Sequence, residues 1–576
     1  MTSALISYCL GKGHTCVELK DFEKKEFDFS EGGELNSSED LYHYKYPPLK
    51  EWIKILKKSN VLGMSEDNKL LIADNNGRLY FQKFYKYEKE LGEKLLAKAD
   101  GVNSVNDKTI EAMNLLFADN SRIIDYQKIA AMVALLKNLC IISGGAGTGK
   151  TYTAAMILSL LLVENPSCKI ALAAPTGKAA NRLLESVNEH CQIFKGKLQD
   201  LPEKSMPDKG YTIHRLLGAS GSRLGFYYND NRPLPYDVLI VDEVSMADLV
   251  LVVHLFRAMK KDAKIILIGD KNQLTSVEAG TVLGEICAIG KMNDFTPTMI
   301  DALKRFDQAD FSALTNISAY KLQDCMVELI ENRRQEKGSK VGELAQLVNT
   351  GKSSEALELM ESRRDIDFLP SNKGKLPEKI MSLIDKYYIP LLNNKISVNE
   401  AFDYLKKFRI LTPYKTGHFS VEFMNMYVEN YLRDKGLIKP QEIWYSGRPI
   451  LIHKNDYNVN LFNGDVGIFL KDQDKSLVYF EGKGGDYKAL VPALLPIHET
   501  AYSMTVHKSQ GSEFDEVLLV FGNRSCPQLV SRQLIYTAIT RAKKELYIFG
   551  DESIWQYAIE NPIKRYSALG DYLKMK

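Results

Sequence analysis

Eight consecutive residues around position 150 have the types and spacing of a phosphate-binding loop. Residues 144–151 fit the pattern Gly-x-x-x-x-Gly-Lys-Thr. Backbone N–H groups of such a loop cradle a polyphosphate, its lysine reaches the β- and γ-phosphates, and its threonine binds Mg²⁺. The predicted nucleotide-binding residues are Gly144, Gly145, Ala146, Gly147, Thr148, Gly149, Lys150 and Thr151. A glycine-rich turn without a ligand is the alternative.

Two acidic residues could complete a metal-dependent hydrolytic site. Asp242 and Glu243 directly follow the apolar run at residues 238–241. We expect Asp242 to hold Mg²⁺ through water, and Glu243 to orient and deprotonate an attacking water molecule. Gln273 follows another apolar run and is predicted to contact the γ-phosphate. The alternatives are solvated acids at a strand end and a turn glutamine without a role.

Three further polar residues are candidates for the same site. A carboxamide can read the N6 and N7 edge of adenine, and Gln127 precedes the phosphate loop along the chain. Arg541 and Arg305 are candidate catalytic cations, since an arginine that stabilises the transferring phosphoryl group increases the rate by roughly 10³–10⁵. Gln127 could instead lie on a helix surface, and each arginine could pair with a surface acid.

These residues need strands and helices to position them, and the chain predicts an α/β fold. Short apolar strands alternate with helices over residues 119–305, which indicates a parallel sheet covered on both faces. A second such unit is predicted from residues 306–429 plus 501–576. Only the first unit carries the phosphate loop. We therefore expect ATP between the units, closing the cleft when it binds and opening it when it is hydrolysed.

The other segments predict accessory domains. Residues 1–118 indicate an α+β docking domain, with a hairpin around Asn75-Asn76-Gly77. Residues 430–500 have short strands around Asn463-Gly464 and predict a small inserted β-barrel. A further insertion, at about 219–235, predicts a protruding hairpin.

Bulk composition excludes several classes of protein. The net charge of the 576 residues is only +2, so any nucleic-acid contact must be local. The eight cysteines are scattered without a Cys-x-x-Cys pair, which is typical of reduced thiols rather than of a disulfide framework or zinc site. No apolar run approaches the roughly 20 residues that a membrane span needs. These features predict a soluble, cytoplasmic protein.

Several segments then resemble the motifs of superfamily 1 helicases, in the order of that family. Residues 173–180 resemble motif Ia, 212–214 motif Ic, 501–514 motif V and 536–541 motif VI. Within the superfamily, the chain resembles the RecD family, the alpha subunit of exodeoxyribonuclease V. The segments that carry this closer resemblance are Arg448-Pro449-Ile450, Asn455-Asp456, residues 461–467 and, in the amino-terminal part, residues 77–88.

The resemblance implies two RecA-like motor domains, an inserted SH3-like barrel and a 5′→3′ ATP-dependent DNA motor. It implies a heterotrimer with beta (RecB-like) and gamma (RecC-like) subunits that acts on single-stranded and duplex DNA ends in double-strand break repair. The amino-terminal domain would dock on the gamma subunit, and the nuclease centre would belong to the beta subunit. Gly511 and Glu513 would bind nucleotide. The implied DNA-binding residues are Pro175, Thr176, Lys178, Thr212, His214, Thr505 and His507.

Two residues depart from the family pattern. Lys415 stands where the family usually has arginine, and a lysine cannot form the bidentate contact of a guanidinium. Thr275 stands where proline commonly follows the Gln-Leu pair. The alternatives are a stand-alone superfamily 1 helicase, which a missing helix-hairpin-helix extension disfavours, and an interaction subunit with a residual ATPase. A small-molecule kinase or GTPase should lack the helicase segments.

Overall fold

The structure is a computed structural model. It describes residues 1–28, 43–64, 67–74, 76–117, 124–198, 205–219, 225–307, 309–316, 320–333, 339–361, 365–370, 376–456, 458–472, 475–482, 486–522 and 530–574. Cys526 and residues 483–485 of the predicted barrel therefore lie outside the described residues. Within the described residues, no helix combines the length and apolar character that a membrane crossing requires.

The amino-terminal part is a small mixed sheet with helices. Its elements are α1 (Thr2–Gly11), β1 (Val17–Glu18), β2 (Glu26–Asp28), β3 (His43–Lys45), α2 (Leu49–Lys58), β4 (Leu62–Gly63), β5 (Leu71–Ala73), β6 (Arg78–Phe81), α3 (Gln82–Ala99) and α4 (Asp107–Leu116). The strand order is β1-β6-β5-β4. β5 and β6 pair antiparallel, which confirms the strands of the predicted hairpin, although Asn75 of its turn is not described.

The first large sheet is parallel and buried on both faces. Its elements are α5 (Tyr126–Leu136), β7 (Leu139–Gly144), α6 (Lys150–Glu164), β8 (Ile170–Ala174), α7 (Gly177–Lys195), β9 (Gly210–Thr212), α8 (Ile213–Leu216), β10 (Val238–Val241), α9 (Leu249–Arg257), β11 (Lys264–Gly269), α10 (Val282–Cys287), α11 (Pro297–Leu303) and β12 (Met326–Leu329). The strand order is β12-β7-β11-β10-β8-β9. Apolar cores cover each face, which explains why the strands read as continuous apolar runs.

This sheet continues past residue 305, where the sequence placed the end of the unit. β12 pairs parallel with β7, the strand that precedes the phosphate loop. β12 could not be recognised from the sequence, because a strand of four residues between polar turns is too short to show a periodic pattern of apolar residues. The boundary belongs after residue 329, since a strand hydrogen-bonded into the sheet is part of the unit.

The second parallel sheet is interrupted by an antiparallel one. Before the interruption come α12 (Lys340–Thr350), α13 (Ser353–Glu361), β13 (Ile366–Pro370), α14 (Glu378–Tyr387), α15 (Val398–Lys407), β14 (Phe408–Thr412) and α16 (Val421–Asp434). The insertion supplies β15 (Arg448–Ile452), β16 (Val466–Asp472), β17 (Lys475–Glu481), β18 (Tyr487–Leu490) and β19 (His498–Thr500). Afterwards come β20 (Ser503–Thr505), β21 (Phe514–Phe521), α17 (Arg532–Ile539), β22 (Ala542–Gly550), α18 (Glu552–Glu560) and α19 (Leu569–Lys574).

The strand orders show how the two sheets are built. The parallel sheet runs β13-β22-β21-β14-β20 and the inserted one β18-β17-β16-β15-β19. The predicted insertion is thus a five-stranded antiparallel sheet with its own small apolar core. Its closure into an SH3-like barrel stays a prediction.

The carboxyl-terminal residues return to the first half of the molecule. α19 packs against α3 and α10, although the sequence placed it in the second motor unit. The buried carboxylate of Glu88 accepts hydrogen bonds from Ser567 Oγ (2.7 Å) and the Ala568 N–H (3.1 Å). A polar sequence with few apolar residues gives no sign of such a long-range return.

The insertion at 219–235 lies against the amino-terminal part. Asn229 and Arg232 form a single antiparallel bridge, and Asp230 forms a 2.8 Å ion pair with Lys94 of α3. Residues 220–224 of the predicted hairpin lie outside the described residues.

Candidate active site

The phosphate loop connects β7 to α6 and has the backbone that its glycines allow. Gly147 (φ +81°) and Gly149 (φ +82°) are left-handed, a conformation that favours glycine. A Cβ on Gly149 would lie 2.3 Å from Gln127 Nε2. Lys150 Nζ donates to the carbonyls of Gly144 (2.7 Å) and Gly145 (3.0 Å). The loop thus forms a compact cradle, with its lysine folded back over it.

Gln127 lies in the first turn of α5, beside this loop. Asp125 caps the helix by accepting the Gln127 N–H at 2.8 Å. The Gln127 side chain is buried, and its Nε2 donates to Thr148 O at 3.0 Å. Its Oε1 is buried without a hydrogen-bond partner. An unsatisfied buried acceptor costs about 1–3 kcal/mol, so a donor from a ligand would stabilise this arrangement.

Asp242 and Glu243 stand at the carboxyl end of β10. Burial, together with the neighbouring Glu243 carboxylate, raises the pKa of Asp242 to about 6, while Lys150 opposes this shift. Glu243 has a left-handed backbone (φ +54°), and its Oε2 is buried without a partner. Non-glycine residues in this region are strained, and such strain clusters at functional sites. Asp242 thus lies near the loop lysine, and the Glu243 N–H donates to Asp242 Oδ1 at 2.8 Å.

Gln273 and Asp270 form a buried polar cluster at the end of β11. Gln273 Nε2 donates to Asp270 Oδ2 at 3.1 Å, and Gln273 Oε1 is buried without a partner. The Tyr536 hydroxyl, from α17 of the second sheet, also donates to Asp270 Oδ2 at 3.1 Å. A Cβ on Gly145 would lie 3.1 Å from the same hydroxyl. The second unit therefore reaches the phosphate loop itself.

Further hydrogen bonds cross between the units near this cluster. The Leu274 N–H donates to Thr537 Oγ1 (2.9 Å), and Gln510 Nε2 donates to Leu274 O (3.1 Å). From α7, Arg182 donates to Gly511 O at 2.8 Å and to Glu513 Oε2 at 3.0 Å. The predicted nucleotide-binding residues Gly511 and Glu513 thus contact the first unit.

Arg541 lies two residues after the end of α17, in the second unit. Its guanidinium is buried and donates to Thr537 O (3.0 Å), Ser512 O (3.1 Å) and Thr540 Oγ1 (3.3 Å). Burial lowers the pKa of Arg541, and the nearby Glu243 carboxylate opposes this shift. The cation is therefore close enough to act electrostatically on the Glu243 side of the loop.

A different arginine from the predicted Arg305 contacts the phosphate loop. Arg305 is exposed in the turn after α11, and no contact among the described residues joins it to the loop. The Arg333 N–H instead donates to Gly147 O at 2.9 Å, and its guanidinium donates to Asp125 at 3.0 Å. Arg333 follows β12, so recognising that strand was the only signal that could have revealed it.

The predicted DNA-binding residues lie at strand and helix ends of both units. Pro175 and Thr176 occupy the turn from β8 into α7, where Thr176 Oγ1 caps the helix, and Lys178 lies in the first turn of α7. Thr212 and His214 lie at the junction of β9 and α8. On the second unit, Thr505 ends β20 and His507 lies two residues further along the chain. Their contact with DNA stays a prediction.

The residues fit a nucleoside triphosphate with a divalent cation. The glycine cradle and the lysine lie at the start of α6, and Gln127, Glu243 and Gln273 each have a buried oxygen without a hydrogen-bond partner. The described residues contain no group of three or more His, Cys, Asp or Glu that could hold a metal. Mg²⁺ usually takes few protein ligands and completes its shell with phosphate and water. Asp242 and Thr151 are therefore sufficient as the protein ligands of such an ion.

Comparison with known proteins places the chain in a family. Three family models match: the RecBCD enzyme subunit RecD N-terminal domain over residues 1–80, an AAA domain over 127–279, and the UvrD-like helicase C-terminal domain over 500–549. The RecBCD enzyme subunit RecD of Haemophilus influenzae is 32% identical, covering 100% of this chain and 93% of that protein. The chain belongs to the RecD family.

Other RecD relatives agree with this membership. The RecBCD enzyme subunit RecD of Mycolicibacterium smegmatis is 30% identical over 99% of this chain and 93% of its own length. The ATP-dependent RecD2 DNA helicase of Deinococcus radiodurans is 28% identical, but the match covers only 59% of that protein.

Among solved structures, a Bacteroides Pif1 helicase bound to single-stranded DNA has 16% identity and a TM-score of 0.36, and the match covers 77% of this chain and 92% of that chain.

Proposed function

We propose that this RecD-family chain is an ATP-dependent 5′→3′ DNA helicase that works with RecB-like and RecC-like subunits on DNA ends. The observation that carries the proposal is the Tyr536–Asp270 hydrogen bond (3.1 Å), since it brings the second unit onto the phosphate-loop site. The full-length similarity to RecBCD subunits supports the heterotrimer. A site shared by two units links hydrolysis to their relative movement.

Most of the candidate site residues have a role in this proposal. The loop N–H groups and Lys150 would bind the phosphates, and Asp242 and Thr151 would hold Mg²⁺. Mg²⁺, when bound, would neutralise charge on the phosphate oxygens. Glu243 would accept a proton from the attacking water, because its buried Oε2 has no protein partner. Gln273 would sense the γ-phosphate, and Arg541 would stabilise the charge that develops on it.

DNA would lie across both units. Pro175, Thr176, Lys178, Thr212 and His214 would hold one stretch, and Thr505 and His507 another. Such contacts address phosphate and sugar and therefore position a strand without reading its sequence. Alternating grip during the ATP cycle would move the strand.

Strand displacement with tailed duplexes tests the proposal. The assay compares 5′-tailed and 3′-tailed duplexes, with the chain alone and with RecB-like and RecC-like partners, and measures ATP turnover with and without single-stranded DNA. We expect DNA-stimulated turnover and displacement from the 5′-tailed substrate. Unstimulated turnover would instead favour an interaction subunit, and full activity without partners would favour a stand-alone helicase.

A further inference from the structure

A short segment that follows Gln273 is held at both ends by other parts of the chain. Residues 274–280 are named here the sensor segment. At its first residue, the Leu274 N–H and carbonyl both bond to the second unit. At its last residue, the Gly280 N–H donates to Gly13 O of the amino-terminal part at 3.0 Å. The segment therefore connects Gln273, the proposed γ-phosphate sensor, with the second unit and the amino-terminal part.

Arg565 holds the middle of the sensor segment. Its guanidinium donates to Ser276 O at 2.6 Å and to Glu278 O at 3.0 Å. The Ser276 hydroxyl donates within the segment, to Glu278 O at 2.9 Å and to Gly280 O at 3.1 Å. Hydrogen bonds from a cation are stronger than neutral ones. Arg565 therefore fixes the course of the backbone between the two carbonyls that it binds.

The amino-terminal part sets the position of Arg565. Gly13 is left-handed (φ +88°), and a Cβ on it would lie 2.5 Å from Arg565 Cζ, so the guanidinium lies directly against this glycine. The Tyr566 N–H donates to His14 Nδ1 at 2.9 Å, and the Tyr566 carbonyl accepts the Thr15 N–H at 2.9 Å. Residues 13–15 therefore fasten the backbone beside Arg565 and leave room for its side chain.

Arg565 has backbone carbonyls as partners, and no acid pairs with it among the residues that the structure describes. Burial lowers its pKa, and its Nε is buried without a hydrogen-bond partner. Desolvating a cation without an acidic partner costs free energy, so stability alone does not account for an arginine at this position. Its charge also acts on the proposed DNA-binding residue His507, because burial and then the Arg565 cation lower the pKa of His507.

We propose that Arg565 is a positioning residue for ATP hydrolysis, which holds the sensor segment so that Gln273 and Leu274 keep their places in the site between the units. The inference rests on the proposed ATP-dependent motor function. No hydrogen bond among the described residues joins Arg565 to the phosphate loop, whose Lys150 would bind the phosphates. Loss of Arg565 should therefore slow hydrolysis and leave nucleotide binding largely intact.

Gly13 offers a test that leaves Arg565 in the chain. The new methyl group of Gly13→Ala would collide with the guanidinium and displace it from the sensor segment. Gly77→Ala is a matched control, since Gly77 lies in the same amino-terminal part, is also left-handed (φ +80°), and would place its Cβ within 4 Å of no other atom. Both substitutions strain the backbone in a similar way, so the collision is what distinguishes them.

The arginine itself is tested with a second matched pair. Arg565→Ala removes both hydrogen bonds to the sensor segment, and Arg565→Lys keeps a cationic donor. Arg532→Ala is the control, because Arg532 is also partly buried, donates to a backbone carbonyl (Ile559 O, 2.6 Å) and packs against a left-handed glycine, Gly351 (φ +75°). The control measures the general cost of deleting such an arginine.

Steady-state ATP turnover of the full chain with saturating single-stranded DNA is the first measurement. We expect Arg565→Ala and Gly13→Ala each to lower kcat at least about tenfold, with KM for ATP within about threefold of wild type. The double variant should be no slower than Arg565→Ala, because both substitutions act on one guanidinium. Arg565→Lys should recover part of the loss, and Gly77→Ala and Arg532→Ala should keep the wild-type kcat.

Amide hydrogen exchange over residues 274–280 without nucleotide is the second measurement, and it does not depend on turnover. We expect faster exchange in Arg565→Ala and Gly13→Ala than in the two controls. Wild-type kcat or wild-type exchange in both of these variants, equal defects in Gly13→Ala and Gly77→Ala, or additive losses in the double variant would overturn the positioning role. These results in an active wild-type background reject the positioning role alone, whereas a wild-type protein without DNA-stimulated turnover would reject the proposed function.

Discussion

Replacing Gln127 by methionine tests whether this buried carboxamide selects adenine. Gln127 Nε2 uses one hydrogen for Thr148 O at 3.0 Å, and its Oε1 has no partner. A second N–H and an acceptor thus face the loop region. Together they match the N7 acceptor and N6 donor of adenine, the geometry by which amides read this base. Methionine keeps a similar length and removes both polar atoms.

The expected magnitude follows from these two hydrogen bonds. A bidentate amide–adenine pair contributes about 1–3 kcal/mol of discrimination. This energy corresponds to an ATP-over-ITP preference of about 5- to 150-fold in kcat/KM, because inosine replaces the N6 donor with an acceptor. The variant also loses the bond to Thr148 O, but that loss affects both nucleotides equally. The ratio therefore isolates base recognition from loop distortion.

The assay is steady-state turnover of ATP and ITP at saturating single-stranded DNA. Gln323→Met is a matched control, since Gln323 is also buried, donates to a backbone carbonyl (Asn316 O, 2.7 Å) and has an unpartnered Oε1. The control should keep the wild-type ratio, whereas Gln127→Met should bring the ratio close to one. A wild-type ratio in Gln127→Met would refute adenine recognition by this residue.

Three further substitutions probe the loop, the crossing contact and the core. Lys150→Gln should abolish ATP turnover without changing the thermal unfolding midpoint by more than a few degrees; normal turnover would show that the loop is not the site. Tyr536→Phe removes the hydroxyl bonded to Asp270 (3.1 Å), and losing about 1.5 kcal/mol from the joined state should slow DNA-stimulated turnover about tenfold. An unchanged rate would mean that this bond does not serve the active state. Burial lowers the pKa of Lys264 to about 8, so the folded state binds fewer protons than the unfolded state between about pH 8 and 10.5. The wild-type free energy of unfolding should therefore rise relative to Lys264→Met across that range, by up to about 3 kcal/mol in urea titrations, and a constant difference would contradict the argument.

Local sequence signals were sufficient to predict the strand, the loop and the helix that form the nucleotide site. The phosphate loop lies between β7 and α6 because an apolar strand, left-handed glycines and a helix start are all encoded within about a dozen residues. Asp242 was predicted correctly at the end of β10 for the same reason. Parallel strands that are buried on both faces consist of continuous apolar residues, so these strands can be located in the sequence.

Contacts between distant segments could not be predicted. Arg333 reaches the loop because the short strand β12 pairs with β7. A strand of four residues is too short to be recognised from its pattern of apolar residues. The Tyr536–Asp270 bond joins residues 266 positions apart, and a tyrosine within an apolar helix reads as core.

In the proposed mechanism, ATP is hydrolysed between the two units, and the second unit supplies a cation. ATP turnover and nucleotide affinity of Arg541→Ala, measured with single-stranded DNA, test it most directly. Arg541→Lys and thermal unfolding control for the loss of a buried side chain. We predict nucleotide affinity within a few fold of wild type and turnover reduced by at least about 10³-fold. Wild-type turnover in a folded Arg541→Ala protein would contradict the claim.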